Sequence, residues 1–408
     1  MTIGLERVLP ARLGRPFRWL VGAVWATNLG DGVAVAAGPL LVASLTADPF
    51  PVALAALLRW APPLLFGLHA GVLSDRVDRR RIVLVAHAAR ILVLAGLVVT
   101  VATGVVTVAI ALAGLGLLAT AEVFADNTTG TIAPMLVPRD DLATANARVA
   151  TGYITMNQLA GPSLGATLFA AGRVWPLVAQ VVLVLAGVLM LLRMPSLPAG
   201  GERVPGGLRR DMVEGFRWTV AHPAVRTLVL TILIFNLAFG AAWSVLVLYS
   251  TQRLGLGPAG YGVLTTIGAA GGLLGTLLYG RLTRHVSLGN IMRVGLVIET
   301  LTHLALALTR SPLVAGAIMF IFGAHVFIWG TTSITVRQRA VPSHLQGRVN
   351  SVNTVCVFGG LVIGSAVGGA LADRYGVAAP FWFAFAGSAL FVILLWGSLT
   401  RIAHSEPR

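Results

Sequence analysis

The chain has 408 residues, 56% of them hydrophobic and only 11% charged, with a formal net charge of +15. A soluble domain carries about 25% charged residues, so this chain cannot clothe a water-facing surface and its solvent is largely lipid. All 30 residues of the Lys+Arg total are arginine, and the single cysteine, Cys356, excludes an intrachain disulfide.

Twelve apolar segments follow one another at 18–44, 51–73, 80–102, 105–126, 142–170, 174–193, 226–249, 259–280, 289–309, 312–335, 347–372 and 379–401. Each is long enough to cross a hydrocarbon core of about 30 Å as a helix, and lipid-exposed backbone permits little else. The prediction is an all-α membrane protein with twelve transmembrane helices.

The first segment carries Asn28 and Asp31 in NLGDG (28–32). Asp31 lies roughly 20 Å along the helix at 1.5 Å per residue, past the midplane. An ionisable group at that depth is a functional hypothesis by default. Arg59 sits at similar depth in the antiparallel second segment and is the expected partner of Asp31. The pair reads either as a proton-coupling or cation-recognising carboxylate tuned by Arg59, or as a buried structural ion pair. After the second segment comes GVLSDRVDRRR (71–81), with Gly71, Asp75, Arg76, Arg79 and Arg80. Arg90 in the third segment is placed to pair with Glu122 or Asp126 in the fourth; those two acids also read as interfacial partners for loop arginines.

The fifth segment reads GYITMNQLAGPSLGA (152–166). Its Gly152, Gly161 and Gly165 predict close helix packing, and Pro162 predicts a bend. Residues 194–225 form a linker, first rich in Pro and Gly, then an amphipathic surface helix from Arg209 to Thr219. Glu299 lies near the midplane of the ninth segment with His303 one turn later, and His325 and Trp329 share a face of the tenth. Glu299 is a further proton-coupling candidate. Asn28, Tyr153, Asn157, Gln158, Asn236, Trp243, His325, Trp329 and Asn353 are candidates for a substrate cavity. Few charges and several aromatics favour large amphipathic or cationic organic molecules over sugars.

Of the 30 arginines, 24 fall on one side of the predicted spans, which makes both termini cytoplasmic by the positive-inside rule. The net charge is then topology plus attraction to anionic lipid, and no loop is large enough for a nucleic-acid module. The halves match weakly at an offset of 204: Gly71, Leu73 and Arg80 align with Gly275, Leu277 and Arg284. Two six-helix bundles, 1–193 and 226–408, joined by the linker 194–225, are the plan of a secondary transporter. GLGPAG (255–260) follows no strand and is a turn, a P-loop is absent with lysine itself, and no Cys/His spacing indicates a metal.

Twelve helices in two repeats with this loop resemble the major facilitator superfamily, whose signature there is G-x-L-x-D-R-x-G-R-R. The match runs Gly71, Leu73, Asp75, Arg76, Arg79, Arg80, with Asp78 in place of the second glycine. NLGDG, ARIL (89–92) and VPxxLxGRVNSVN (341–353) are similar to the branch of macrolide-efflux and enterobactin-exporter-like proteins. His87 stands where that branch leads one to expect an acid.

The resemblance implies a monomeric proton-coupled antiporter of the cell membrane, exporting hydrophobic drugs or natural products by alternating access without cofactor, metal or enzymatic chemistry. It implies that Gly152, Gly161, Pro162 and Gly165 form an antiporter motif. It implies that Asp75 contacts the start of the eleventh helix near Asn350 as a latch braced by the arginines. By their own chemistry, the residues also admit a siderophore or lysophospholipid transporter of the same fold, or a membrane sensor or scaffold that moves nothing.

Overall fold

A computed structural model describes residues 11–196 and 208–402. Arg7, Arg203, Arg408 and most of the Pro/Gly-rich linker lie outside the described residues. Among the described residues, fourteen α-helices longer than one turn follow in order: α1 (Gly14–Ala43), α2 (Pro49–Arg76), α3 (Arg79–Ala102), α4 (Val108–Leu136), α5 (Leu142–Gly152), α6 (Gly161–Ala171), α7 (Trp175–Leu191), α8 (Leu208–Ala221), α9 (Pro223–Trp243), α10 (Pro258–His285), α11 (Leu288–Leu308), α12 (Pro312–Ala340), α13 (Gln346–Tyr375) and α14 (Ala379–Ile402). Between α5 and α6 the segment Tyr153–Ala160 continues as π-helix, so 142–171 is one helical run.

Among the described residues, ten helices are long and apolar enough to cross a membrane: α1–α4 and α9–α14. The other two predicted segments coincide with the run 142–171 and with α7, an apolar helix of 17 residues.

Local signals set the boundaries. Asp78 caps α3 by accepting from the Arg81 N–H at 3.0 Å, and Thr107 caps α4 by accepting from the Ile110 N–H at 3.2 Å. Pro223 and Pro312 open α9 and α12, where a missing N–H costs nothing. Gly376 closes α13 at φ 85°, with its N–H donating to the Ala372 carbonyl at 2.9 Å.

By contacts the chain gathers into two units. The first comprises Met1–Thr46, Leu65–Glu202 and Gly257–Thr266; the second comprises Ala47–Leu64, Arg203–Leu256 and Ile267–Arg408. Within the first, Phe17, Leu20 and Val21 of α1 pack with Val83, Ile132 and Leu191. Within the second, Leu228 and Ile232 of α9 pack with Met292, Leu296 and Val392.

Lipid is as apolar as these side chains, so helix association rests on close packing more than on expulsion from solvent. Two glycine seams supply it. In the first unit, Cβ atoms added to Gly161 and Gly165 would strike the backbone of Gly32 and Val33, and one on Gly152 would strike the Trp25 ring. In the second, Gly360, Gly364 and Gly368 of α13 lie against Leu233, Leu237 and Ala241 of α9.

Candidate functional site

The buried charges of the first unit gather around Arg90 on α3. Asp31 of α1 forms an ion pair with it, Asp31 Oδ1 to Arg90 Nη2, and the two residues are 5% and 3% exposed. Local sequence holds Asp31 in place. Gly30 faces Leu183 of α7, while a Cβ on Gly32 would sit 2.6 Å from the Asn157 carbonyl oxygen. NLGDG therefore lets α1 approach two helices while projecting one carboxylate between them.

Glu122 and Asp126, one turn apart on α4, add their field to that of Asp31 at Arg90. Arg90 Nε and Nη1 are buried without a hydrogen-bond partner, so this fork has donors to spare. His87, one turn earlier on α3, is buried, and its Nδ1 is likewise without a partner.

The pairing corrects the expectation drawn from depth alone: the ion-pair partner of Asp31 is Arg90. Arg59 lies on the Ala47–Leu64 segment of the second unit, its guanidinium 5.1 Å from the centre of the Trp60 ring. Depth along a helix does not say which neighbour a side chain faces, and it is α3 that brings its arginine to α1.

The run 142–171 forms one wall of this region. Its π-helical turn ends with the Gly161 N–H bonded to the Met156 carbonyl, five residues back. Pro162 follows at the start of α6 and is buried. Asn157, expected in a cavity, is instead buried at the crossing with α1, where its carbonyl faces Gly32. Gln158 is half-buried and donates to Tyr153 Oη at 2.9 Å. Asn28 is half-buried on α1 and donates to the Val24 carbonyl at 2.9 Å.

The second unit holds its own polar cluster. Glu299 Oε2 of α11 lies 3.4 Å from His325 Nε2 of α12. His303, fully buried, meets Trp243 edge-on at 5.9 Å. Trp243 in turn stacks on Phe239 and packs on Phe322, both at 4.5 Å. Trp329 Nε1 is buried without a partner. Gly295 leaves room for the rings, since a Cβ there would lie 2.8 Å from both His325 Cε1 and Trp329 Cδ1. The structure therefore joins Glu299 to His325 and aligns Trp243 and Trp329 nearby. Asn236 is half-buried on α9, bonded to the Ile232 carbonyl at 2.7 Å.

In the charged loop the residues divide their work. Arg80 Nε and Nη2 donate to the Leu191 and Leu192 carbonyls at 2.9 and 2.7 Å, capping the C-terminal end of α7 where the helix dipole favours a cation. Asp78 accepts from Ser196 Oγ at 2.8 Å as well as capping α3. Arg79 is buried, with Nη1 2.9 Å from Met135 Sδ. Arg76 is exposed. Asp75 is 66% exposed and lies 3.8 Å from Arg79. The loop signature's glycine, Gly71, is not held by packing: a Cβ there would meet nothing within 4 Å.

Ionisable side chains buried between apolar spanning helices mark the functional sites of a membrane protein. The profile described as transmembrane secretion effector matches residues 10–407, so the chain belongs to this family of major facilitator transporters. It is 23% identical to macrolide efflux protein A of Streptococcus pyogenes over 369 residues, covering 86% of this chain and 87% of that protein. It is 26% identical to the multidrug efflux pump Tap of Mycolicibacterium fortuitum (90% and 91% covered). It is 27% identical to the enterobactin exporter EntS of Salmonella typhimurium (100% and 97% covered). Among solved structures it resembles the nucleoside transporter NupG, with a TM-score of 0.72 at 12% identity over 95% and 99% of the two chains. A bacterial homologue of the iron transporter ferroportin gives 0.73 at 16% identity over 96% and 99%. At these identities the two structures speak for the fold alone.

Proposed function

We propose that the chain exports hydrophobic organic compounds, such as drugs or natural products, by proton-coupled antiport. The observation that carries this reading is the Asp31–Arg90 ion pair, buried between α1 and α3, with Glu122 and Asp126 one turn apart on the neighbouring α4. A carboxylate held in a spanning helix by a single ion pair is a site that can take up a proton. Protonating Asp31 ends the ion pair, and the unpartnered Nε and Nη1 of Arg90 then turn to the carboxylates of α4. A proton is thereby exchanged for a change in which helix Arg90 holds, which is the differential contact a two-state transporter needs. Glu299 with His325 offers a second proton-binding pair.

The names of the relatives, which are efflux pumps and an exporter, support the outward direction and a large organic substrate. In this reading twelve spans form two six-helix bundles, 1–193 and 226–408, that rock about a central site in the cell membrane. Both termini are cytoplasmic and the working unit is a monomer. Asn28, Gln158, Asn236, Trp243, His325 and Trp329 contribute to substrate binding, and Asp75 with Arg76, Arg79 and Arg80 forms the latch.

The test is accumulation of a panel of cationic dyes and hydrophobic antibiotics in cells with and without the gene. Lower accumulation that an uncoupler abolishes is expected. Unchanged accumulation across the panel, or a reduction insensitive to the uncoupler, opposes the reading.

A further inference from the structure

We propose that α8 is a binding site for the anionic surface of the bilayer, clamped onto the first turn of α13. Contacts with α13 define its inner face, and exposure defines its outer face.

The inner face is fixed by α13. A Cβ on Gly215 would lie 2.5 Å from the Arg348 carbonyl oxygen, so only glycine lets the helices approach this closely. Arg348 Nη1 closes the contact with Glu214 Oε1 at 2.6 Å. Thr219 is buried on the same face, and Trp218 packs on the core of Val225, Val341, Leu345 and Val349.

The outer face is left uncovered. Val213, Phe216 and Val220 are 42%, 59% and 43% exposed. At about 100° per residue these three fall within about 60° of one another, turned away from Gly215 and Thr219. Arg210 and Arg217, both exposed, border the stripe on one side. An apolar edge beside a basic edge is the pattern of a helix lying in the plane of an anionic interface.

The chain also fixes the depth. Only His222 separates the end of α8 at Ala221 from the start of the spanning helix α9 at Pro223. That junction is tied by the Trp218–His222 ring stack at 3.7 Å and by Arg226 Nη1 donating to the Val220 carbonyl at 3.3 Å. A helix tethered this closely to a spanning helix cannot leave the membrane–water boundary. The occupant of the stripe is therefore the acyl–headgroup border, with anionic phospholipid headgroups at Arg210 and Arg217.

The experiment uses the full chain with Cys356→Ser, so that Phe216→Cys carries the only label, a bimane. The protein is reconstituted in vesicles of phosphatidylcholine alone or with phosphatidylglycerol, and quenching is read with doxyl-lipid and with aqueous iodide. The result expected is quenching by the lipid probe, increased about twofold or more by phosphatidylglycerol, since a basic residue near such a surface changes partition by roughly fivefold. Arg210→Gln with Arg217→Gln should remove that increment while quenching in phosphatidylcholine persists. The same label at Val213→Cys provides a second site if Phe216→Cys fails to fold. A label reached by iodide and not by doxyl-lipid in both compositions overturns the proposal. Lipid quenching indifferent to phosphatidylglycerol overturns its anionic selectivity.

Discussion

Gly32 of α1 and Gly161 at the start of α6 meet backbone to backbone: a Cβ added to Gly32 would lie 2.8 Å from the Gly161 Cα. Gly152, Gly161 and Gly165 of the fifth segment thus form a packing seam against α1, from Trp25 through Gly32 to Val33, beside Asp31. Overpacking such a contact costs about 1–3 kcal/mol. Gly161→Ala should therefore lower the melting temperature of the purified protein in detergent. Gly71→Ala, with nothing within 4 Å, should change stability by no more than about 0.5 kcal/mol. Equal effects at the two sites would contradict the packing argument.

Arg80 joins the start of α3 to the end of α7 through two main-chain carbonyls. Removing a cation from a helix C-terminus costs about 0.3–1 kcal/mol at the surface and up to about 2 kcal/mol when partly buried. Arg80→Ala should lower the melting temperature, and Arg80→Lys should recover part of the loss by restoring the charge without the two-pronged geometry. An unchanged melting temperature in Arg80→Ala would show that the contact holds nothing.

Asp31 and Arg90 are each buried, so removing Arg90 strands the Asp31 carboxylate, whereas in the proposed exchange Arg90 without the Asp31 charge turns to the carboxylates of α4. Breaking such a pair costs about 3–5 kcal/mol, because an uncompensated charge remains. Arg90→Met should be poorly folded, and Asp31→Asn with Arg90→Met should be closer to wild type than Arg90→Met alone. Thermal unfolding of the three variants measures this. A double variant no more stable than Arg90→Met would place the damage outside the pair.

Asp75 has its side chain 66% exposed, so Asp75→Asn should leave stability within about 0.5 kcal/mol. If Asp75 is part of a latch, transport should slow while expression and membrane insertion survive. Initial rates of dye efflux, normalised to protein in the membrane, distinguish this from a loop that only sets topology. Wild-type rates in Asp75→Asn would reduce the carboxylate to a surface charge.

Much of this was legible in the sequence, and the misses have physical causes. The positions of the spans follow from apolar run length, which lipid enforces. Depth along a helix is equally readable, and it placed Asp31, Arg59 and Arg90 in spans. Which neighbour a side chain faces is not readable from depth, so adjacency in sequence favoured Arg59 where the structure pairs Arg90. Gly152, Gly161 and Gly165 showed their spacing on a helix with a proline to mark the bend. The seam of Gly360, Gly364 and Gly368 repeats every four residues but was hidden among 47 glycines, many of them with no such partner. Glu299 was visible as a costly charge, while its contact with His325 depends on Gly295, which makes room across two helices.

The central claim is that Asp31 exchanges a proton during export. Everted vesicles bearing wild type or Asp31→Asn, given an imposed pH gradient and a cationic dye that wild type transports, test it most directly. The account predicts that Asp31→Asn loses uptake driven by the gradient while still exchanging dye for dye without one, since the neutral side chain mimics the protonated carboxyl. Full gradient-driven uptake by Asp31→Asn, at wild-type protein levels, would contradict it.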